Sequence, residues 1–116
     1  MIIPNDFSVV WFCEVLVKNL MNNNEVTIIS DIHDGYEHGH YLQILKKWGV
    51  RHKYVEFYRF INPFKDLKYI ISLYGILNKE NFDMVMNIST KPNLYGSIAA
   101  KLANVNKIVC SVWGLG

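Results

Sequence analysis

The feature that most constrains the fold is an alternation along the chain. Short apolar runs of strand length are separated by longer segments that have the period of an amphipathic helix. This alternation is typical of a parallel β-sheet with helices on its faces. The predicted strands are residues 2–3, 26–30, 53–57, 84–88 and 107–112, and the predicted helices are residues 10–21, 41–48, 64–79 and 94–103. The sequence therefore predicts an α/β domain.

Length and composition further limit the possible folds and functions. The chain has 116 residues, of which 51% are hydrophobic, so it can form one compact domain with one core. Its formal charge of +2 is not concentrated in a basic stripe, which excludes a typical nucleic-acid-binding protein. No apolar run reaches the roughly 20 residues that span a bilayer. Cys13 and Cys110 lie in apolar runs without metal or redox spacing, which indicates inert core thiols in a reduced, cytoplasmic protein.

The two ends of the sequence resemble interruptions of a larger architecture. Only Met1 to Ile3 precede Pro4 in the first predicted strand, whereas strands average about five or six residues. The sequence stops at Gly114-Leu115-Gly116, where a doubly wound domain would continue into another helix. We expect further chain on both sides.

The helix predicted over residues 64–79 has the clearest pattern. Pro63 suits the first turn and Asp66 suits the positive amino end. Gly75 lowers helix propensity by about 1 kcal/mol relative to alanine, so either close packing or tolerance accounts for it. The apolar face predicted to cover the sheet comprises Leu67, Ile70, Ile71, Tyr74 and Leu77.

Ligands of an open parallel sheet bind beyond the carboxyl ends of its strands. Asn5 and Asp6 follow the first predicted strand, where they would either hydrogen-bond sugar hydroxyls or cap the next helix. No glycine-rich G-x-G-x-x-G fingerprint follows that strand, which disfavours a dinucleotide-dependent dehydrogenase.

The segment from Ser89 to Asn93 leads from a strand into a helix. A hydroxyl and an ammonium beside free backbone N–H groups would favour a phosphate or a sugar hydroxyl. The alternative is that Ser89 or Thr90 caps the helix, Pro92 sets its first turn and Lys91 is solvated.

Two other groups of residues are candidate sites. His33, His38 and His40 lie among carboxylates but lack regular metal-ligand spacing, so no metal is expected, and a polar loop or a cleft base remain open. The second mixture suits anionic lipid headgroups with aromatic rings at the interface, or a strand and a helix that bury alternate aromatics. It comprises Arg51, His52, Lys53, Arg59 and Lys65 with Tyr54, Phe57, Tyr58, Phe60 and Phe64.

Several segments, read in order, carry a resemblance to a known family. They are residues 62–67 (NPFKDL), 82–85 (FDMV), 90–103 (TKPNLYGSIAAKLA) and 114–116 (GLG). In this order they resemble family 4 glycosyltransferases, in particular bacterial members that build capsule, O-antigen or glycan chains on polyprenyl carriers. The resemblance is specific from Asn62 onward and weaker before Tyr54.

The resemblance implies a GT-B architecture of two Rossmann-like domains that face a cleft. Residues 1–116 would be the amino-terminal, acceptor-side domain, without the carboxyl-terminal domain that binds most of the donor. The implied reaction transfers a sugar from a nucleotide-sugar to a polyprenyl-linked acceptor, with no cofactor, in the cytoplasm or on the inner face of the cell membrane. A separate donor-binding subunit is a further implied partner. The substrate-binding residues expected from the loops and the resemblance are Asn5, Asp6, Thr90, Lys91, Pro92, Gly96, Gly114 and Gly116.

The chain also departs from the family pattern. Many members have histidines near the end of the fourth strand and before the last glycine turn, where this chain has Asn87 or Ser89 and Trp113. No catalytic residue is therefore assigned.

Two alternatives remain from the sequence. A phosphoryl-receiver domain has a similar length and pattern, but its aspartate belongs after the third strand and its lysine after the fifth, and this chain has neither arrangement. A noncatalytic acceptor- or membrane-binding fragment, or a partner subunit of a split transferase, also fits half a cleft.

Overall fold

A computed structural model describes residues 1–32 and 40–111. Its five strands form one all-parallel sheet in the order β3-β2-β1-β4-β5. The strands are β1 (Ile2–Asn5), β2 (Thr27–Asp31), β3 (Arg51–Tyr54), β4 (Met84–Ile88) and β5 (Lys107–Ser111). The predicted α/β class with a parallel, helix-flanked sheet is confirmed, and the arrangement is Rossmann-like.

The connecting helices lie on the two faces of the sheet. They are α1 (Asp6–Phe12), α2 (Glu14–Met21), α3 (His40–Trp48), α4 (Pro63–Glu80) and α5 (Ser97–Leu102), and a π-helical turn (Pro92–Gly96) leads into α5. One apolar cluster joins α1, α2 and α3 to the sheet, and a second cluster joins α4 and α5 to the opposite face.

Alternation along the central strands builds both clusters at once. Ile2 and Ile29 belong to the α4–α5 cluster, whereas their neighbours Ile3 and Ile28 belong to the α1–α3 cluster. Successive side chains of a strand point to opposite faces, so a strand covered on both sides must be apolar throughout. This explains why β1 and β2 each contain two adjacent apolar residues, Ile2-Ile3 and Ile28-Ile29, instead of an alternation of apolar and polar residues.

Most elements differ from the predicted bounds by a few residues, and two of the differences have a clear physical reason. The helix predicted over residues 10–21 starts four residues earlier and bends at Cys13, whose N–H still donates to the Val9 carbonyl and whose carbonyl accepts from Val17. The third strand covers Arg51–Tyr54 rather than 53–57. It is an edge strand, so hydrogen bonding to β2 decides its position and its side chains need not be apolar.

The predicted covering face of α4 is only partly correct. Leu77 is buried, but the other residues that α4 buries deeply against the sheet are Asp66, Tyr69 and Leu73. Leu67 and Ile71 are 56% and 60% exposed. The helix therefore has a second apolar stripe that faces away from the core.

The two cysteines also differ in their surroundings. Cys13 is buried in the α1–α3 cluster, and burial raises the pKa of its thiol to about 11, as expected for an inert core thiol. Cys110 on β5 is exposed, so the prediction that it lies in the core is wrong. Among the described residues, no helix is both long and apolar enough to span a bilayer.

Candidate functional site at the sheet's switch point

The strand order reverses direction between β1 and β4. From β1 the chain moves outward to β2 and β3, and then returns to place β4 on the other side of β1. Open α/β sheets bind ligands in the crevice at the carboxyl ends of the two strands that flank such a switch point. Ile2 of β1 pairs with Asn87 of β4, so Asn5, at the end of β1, and Thr90, two residues after the end of β4, follow the carboxyl ends of neighbouring strands.

Asn5 ends β1 and begins α1. Its backbone is extended, and its Oδ1 accepts hydrogen bonds from the Ser8 N–H at 2.9 Å and the Ser8 hydroxyl at 3.0 Å. Of the two roles considered, helix capping is therefore realised. The side-chain amide nitrogen makes no hydrogen bond within the described part of the chain, so a donor remains at the edge. Asp6, in the first turn of α1, is buried.

The turn after β4 has an uncommon backbone conformation. Ser89 has a φ of +84°, in the left-handed region that costs a residue with a Cβ about 1–2 kcal/mol. The other non-glycine residues with positive φ in residues 1–32 and 40–111 are Asn81 and Asn104, and asparagine tolerates this region. Strain of this kind concentrates at functional sites. Here it redirects the chain from β4 into a helical segment that begins at residue 90.

Gly96 allows that helical segment to approach the strand closely. A Cβ at this position would overlap the Asn87 Oδ1 and lie 2.9 Å from its Cγ and 3.2 Å from the Ile2 Cδ1. Asn87 is fully buried, and its Nδ2 donates to the Ser97 hydroxyl at 3.2 Å. Its Oδ1 is buried and accepts no hydrogen bond in the described part of the chain. The glycine is thus required by packing.

Lys91 is directed into a largely buried network of hydrogen bonds rather than into solvent. Its ammonium donates to the carbonyls of Tyr58 and Phe60, both at 2.6 Å, and to the Asp66 carboxylate at 2.7 Å. The Tyr95 hydroxyl donates to the second oxygen of Asp66 at 3.1 Å. Lysine has three N–H donors, and all three are used. We call Lys91, Asp66 and Tyr95 the clamp, because they tie the β3–α4 loop to the segment after β4.

Charge and hydrogen bonding tune the groups of the clamp. The hydrogen bond from Lys91 holds the pKa of the Asp66 carboxyl below its usual range, against the opposing effect of burial. Burial, followed by the hydrogen bond to Asp66, raises the pKa of Tyr95. Asp66 is therefore ionised at neutral pH and balances the charge of Lys91.

Asp31 fixes the same loop from the other side. Its carboxylate accepts from the N–H of Ile32 at 2.6 Å and from the N–H of Phe57 at 2.9 Å. In the adjoining strand, His52 lies 2.8 Å from the Ser30 hydroxyl, and burial lowers its pKa, so the ring is neutral at neutral pH. Hydrogen bonds therefore fix β2, β3 and the loop after β3 next to the switch point.

In the described residues, no group of three or more histidine, cysteine, aspartate or glutamate side chains could hold a metal ion. His40 begins α3, with its ring 5.1 Å from that of Tyr41. His33 and His38, the other histidines of the loop considered as a metal or base site, lie outside the described residues.

Comparison with known proteins assigns the chain to a family. A family model described as "Glycosyl transferase 4-like" matches residues 5–116, which is nearly the whole chain. The chain belongs to the glycosyl transferase 4-like family. The predicted family resemblance is confirmed.

One curated relative extends the comparison of this glycosyltransferase 4-like domain. It is the UDP-Gal:alpha-D-GlcNAc-diphosphoundecaprenol alpha-1,3-galactosyltransferase of Escherichia coli, which is 46% identical over 56 residues. The match covers 48% of this chain and 14% of that protein.

The glycosyltransferase 4-like domain brings six of the eight predicted site residues to one edge of the sheet, in different roles. Asn5 lies at the surface of that edge, and Thr90 is exposed. Asp6, Pro92 and Gly96 are buried beneath it, and Lys91 is directed into the clamp. Gly114 and Gly116 lie outside the described residues.

The sequence did not indicate the clamp. Asp66 was interpreted only as a favourable charge at a helix amino end, and Tyr95 only as part of a family motif. Asn62, rather than Asp66, caps α4 by accepting from the Lys65 N–H at 3.1 Å. The available signal was the placement of an acidic residue on the apolar side of α4, in line with Tyr69, Leu73 and Leu77.

Proposed function

We propose that this domain is the acceptor-binding half of a transferase that moves a sugar from a nucleotide-sugar to a polyprenyl-diphosphate-linked glycan. The observation that carries the proposal is the switch-point edge in a family 4-like domain, where Asn5 and Thr90 follow the ends of the neighbouring strands β1 and β4, and Thr90 comes directly after the strained turn at Ser89. The substrate class follows the activity for which the Escherichia coli relative is named. Surface polysaccharide or glycan synthesis is the corresponding role.

In this proposal, different residues contact and shape the site. The Asn5 amide and the Thr90 hydroxyl hydrogen-bond hydroxyls of the acceptor sugar. The first N–H groups of the helical segment from residue 90 face a diphosphate, because they have no carbonyl ahead of them. Lys91, Pro92 and Gly96 hold that segment in place, and Asp6 supports the turn after β1. Gly114 and Gly116 lie outside the described residues, and only the family resemblance supports them as substrate contacts.

The donor requires a second binding surface. We propose that a donor-binding domain or a separate subunit faces this edge and holds the nucleotide-sugar. A base in the assembled cleft takes the proton of the acceptor hydroxyl, and helix amino ends and basic groups stabilise the departing diphosphate. We place the reaction at the inner face of the cell membrane, where a polyprenyl-linked acceptor would be presented.

Acceptor binding is tested with the chain itself. We expect calorimetry in detergent to detect binding of GlcNAc-diphosphoundecaprenol. Asn5→Asp should weaken it by roughly tenfold, because the variant keeps the capping oxygen for Ser8 but loses the amide donor. Thr90→Val removes one hydroxyl at constant shape and should act similarly. Asn78→Ala, exposed on α4, is the matched control.

Transfer is tested by adding the donor half. Radiolabelled galactose from UDP-Gal should enter the acceptor when the donor-binding region of the Escherichia coli relative is fused to this chain. Absence of acceptor binding by the folded chain would contradict the proposed function. Binding without transfer in the fusion would favour the noncatalytic or partner-subunit alternative.

A further inference from the structure

The outer surface of α4 and the loop before it expose several large apolar side chains. Four residues of α4, spaced by three or four, lie on the side opposite Asp66, Tyr69 and Leu73. Phe64 is 87% exposed, and Ile61 in the preceding loop is 90% exposed. We call this area the outer stripe, and it comprises Phe60, Ile61, Phe64, Leu67, Ile71 and Tyr74.

The exposure at the loop end of the outer stripe is fixed by the fold. The Lys91 ammonium holds the carbonyls of Tyr58 and Phe60, and the rings of these two residues meet edge to face at 6.0 Å. A buried ion pair with Asp66 anchors that ammonium. The loop therefore presents Phe60 and Ile61 outward while its backbone is tied to the core.

Positive charge accompanies the outer stripe. Arg59, Lys65 and Lys68 are exposed, and the Lys65 ammonium lies 4.0 Å from the centroid of the Tyr58 ring. Glu56, 3.7 Å from Lys68, is an exposed carboxylate beside them, whereas Asp66 is buried and neutralised by Lys91. Three cations against one exposed carboxylate leave this surface positive.

We propose that the outer stripe is a docking surface for an anionic lipid membrane, on which α4 lies in the plane of the interface. A helix that needs one apolar face for its own core has no folding reason for a second, and soluble proteins rarely expose large contiguous apolar patches. Apolar residues flanked by lysine and arginine are the pattern of interfacial helices on anionic lipid.

The outer stripe differs from the group of basic and aromatic residues, between Arg51 and Lys65, that the sequence suggests for contact with lipid headgroups. Arg51 and Lys53 pair with Glu80, and His52 contacts Ser30, so these three residues are engaged elsewhere. Leu67 and Ile71, which the sequence assigned to the core, take their place.

The position of the outer stripe deepens the proposed function and rests on it for one link. The β3–α4 loop leaves the carboxyl end of β3, which is the same edge as the switch point. A membrane against Phe60 and Ile61 would present a lipid-linked acceptor to that edge. The docking itself requires no substrate and is measured without one.

The test is co-sedimentation of the chain with vesicles of phosphatidylcholine alone or mixed with phosphatidylglycerol. We expect binding to the anionic vesicles that weakens as salt is added. Phe64→Ser/Ile71→Ser should weaken it by about tenfold or more, because two large side chains no longer insert. The matched control is Phe12→Ser/Val15→Ser, which changes residues of similar type and exposure on the opposite face.

The charges are tested in the same way. Lys65→Gln/Lys68→Gln should reduce binding to anionic vesicles and its salt dependence, whereas Lys46→Gln/Lys47→Gln on α3 should change both less. As a readout that is independent of loss of folding, a Phe64→Trp variant should show a blue-shifted emission on adding vesicles, and Phe12→Trp should not.

Three results would overturn the proposal. One is a folded wild-type chain that stays in the supernatant with anionic vesicles at low salt. Another is equal loss of binding in the Phe64/Ile71 and Phe12/Val15 variants. The third is a vesicle-free dimer that Phe64→Ser/Ile71→Ser converts to a monomer, which would assign the outer stripe to a second copy. If acceptor binding or sugar transfer fails in the earlier assays, the membrane-docking proposal is still decided by these three results alone.

Discussion

At the scale of single residues, the edge of this glycosyltransferase 4-like domain depends on side chains that support the site from beneath. Gly96 is buried against Asn87 and Ile2, and Lys91 is enclosed by its three acceptors. Motif residues of this kind keep the segment after β4 close to the sheet. Their substitution should therefore be visible first in stability.

Gly96→Ala should lower the free energy of unfolding by about 1–3 kcal/mol, the usual range for an overpacked core. The added methyl would overlap the Asn87 Oδ1, so the strand and the helical segment would have to separate. Urea denaturation measures the change. In an Asn87→Ala background the cost should be smaller, because the overlapping atoms are gone. An equal cost in both backgrounds would assign it to the backbone instead.

Lys91→Met should destabilise the domain most near neutral pH. Asp66 has a pKa below its ordinary value of 3.8 in the folded chain, so the clamp's contribution is present above that value and is lost as pH falls through the lower, folded pKa. Without Lys91 the buried carboxylate is uncompensated, and its protonation at low pH relieves the cost. Denaturation of wild type and variant near pH 7 and at acidic pH should thus give a difference that shrinks on acidification.

The control for this experiment is Lys18→Met. Lys18 pairs with Glu14 at 2.8 Å, one turn apart on α2, but both side chains are about half exposed. Exposed pairs of this spacing contribute about 0.3–0.5 kcal/mol. A pH-independent loss in Lys91→Met would show that the lysine acts through its packing rather than its charge.

At the scale of elements, α4 shows both the success and the limit of inference from sequence. Pro63 was predicted in the first turn of α4, and this is confirmed. The strand predicted at residues 84–88 has the same bounds in the structure. The covering face was partly wrong because α4 carries two apolar stripes, and periodicity alone does not distinguish the stripe that meets the sheet. The buried face includes Asp66, which is compatible with burial because Lys91 and Tyr95 donate hydrogen bonds to it.

Gly75→Ala should raise the free energy of unfolding by up to about 1 kcal/mol. The structure answers the question left by the sequence, since a Cβ at Gly75 would meet no atom within 4 Å. The glycine is tolerated in α4 rather than required by packing. Thermal or urea denaturation measures the gain.

Gly49→Ala is the matched comparison and should have the opposite sign. Gly49 has a φ of +86°, and it ends the turn between α3 and β3. Alanine in this region is strained even though the nearest atom is 3.7 Å away. Stabilisation by both substitutions would contradict the conformational explanation.

At the scale of the whole molecule, the switch point follows from topology that the sequence did not contain in readable form. The alternation of elements predicted a parallel sheet, and the site residues were predicted at the ends of its strands. The order β3-β2-β1-β4-β5, the turn at Ser89 and the clamp depend on contacts between segments distant in sequence. Thus Asn5 and Thr90 could be named separately, but the fact that they follow neighbouring strands could not be predicted.

The same topology makes the two faces of the sheet one cooperative unit. β1, β2 and β4 each contribute side chains to both apolar clusters, so neither cluster can disperse while the other remains packed. Leu73 on α4 is fully buried on one face, and Trp48 on α3 packs against the cluster on the other. These two residues report on opposite sides of the molecule.

Leu73→Ala should lower the free energy of unfolding by about 2–5 kcal/mol and should do so for both faces equally. The measurement is urea denaturation followed by circular dichroism and by the fluorescence of Trp48, in a background with Trp11→Phe and Trp113→Phe. Because the sheet couples the clusters, the Trp48 midpoint should fall together with the circular-dichroism midpoint. A Trp48 transition that keeps its wild-type midpoint would mean that the α1–α3 face folds independently of α4.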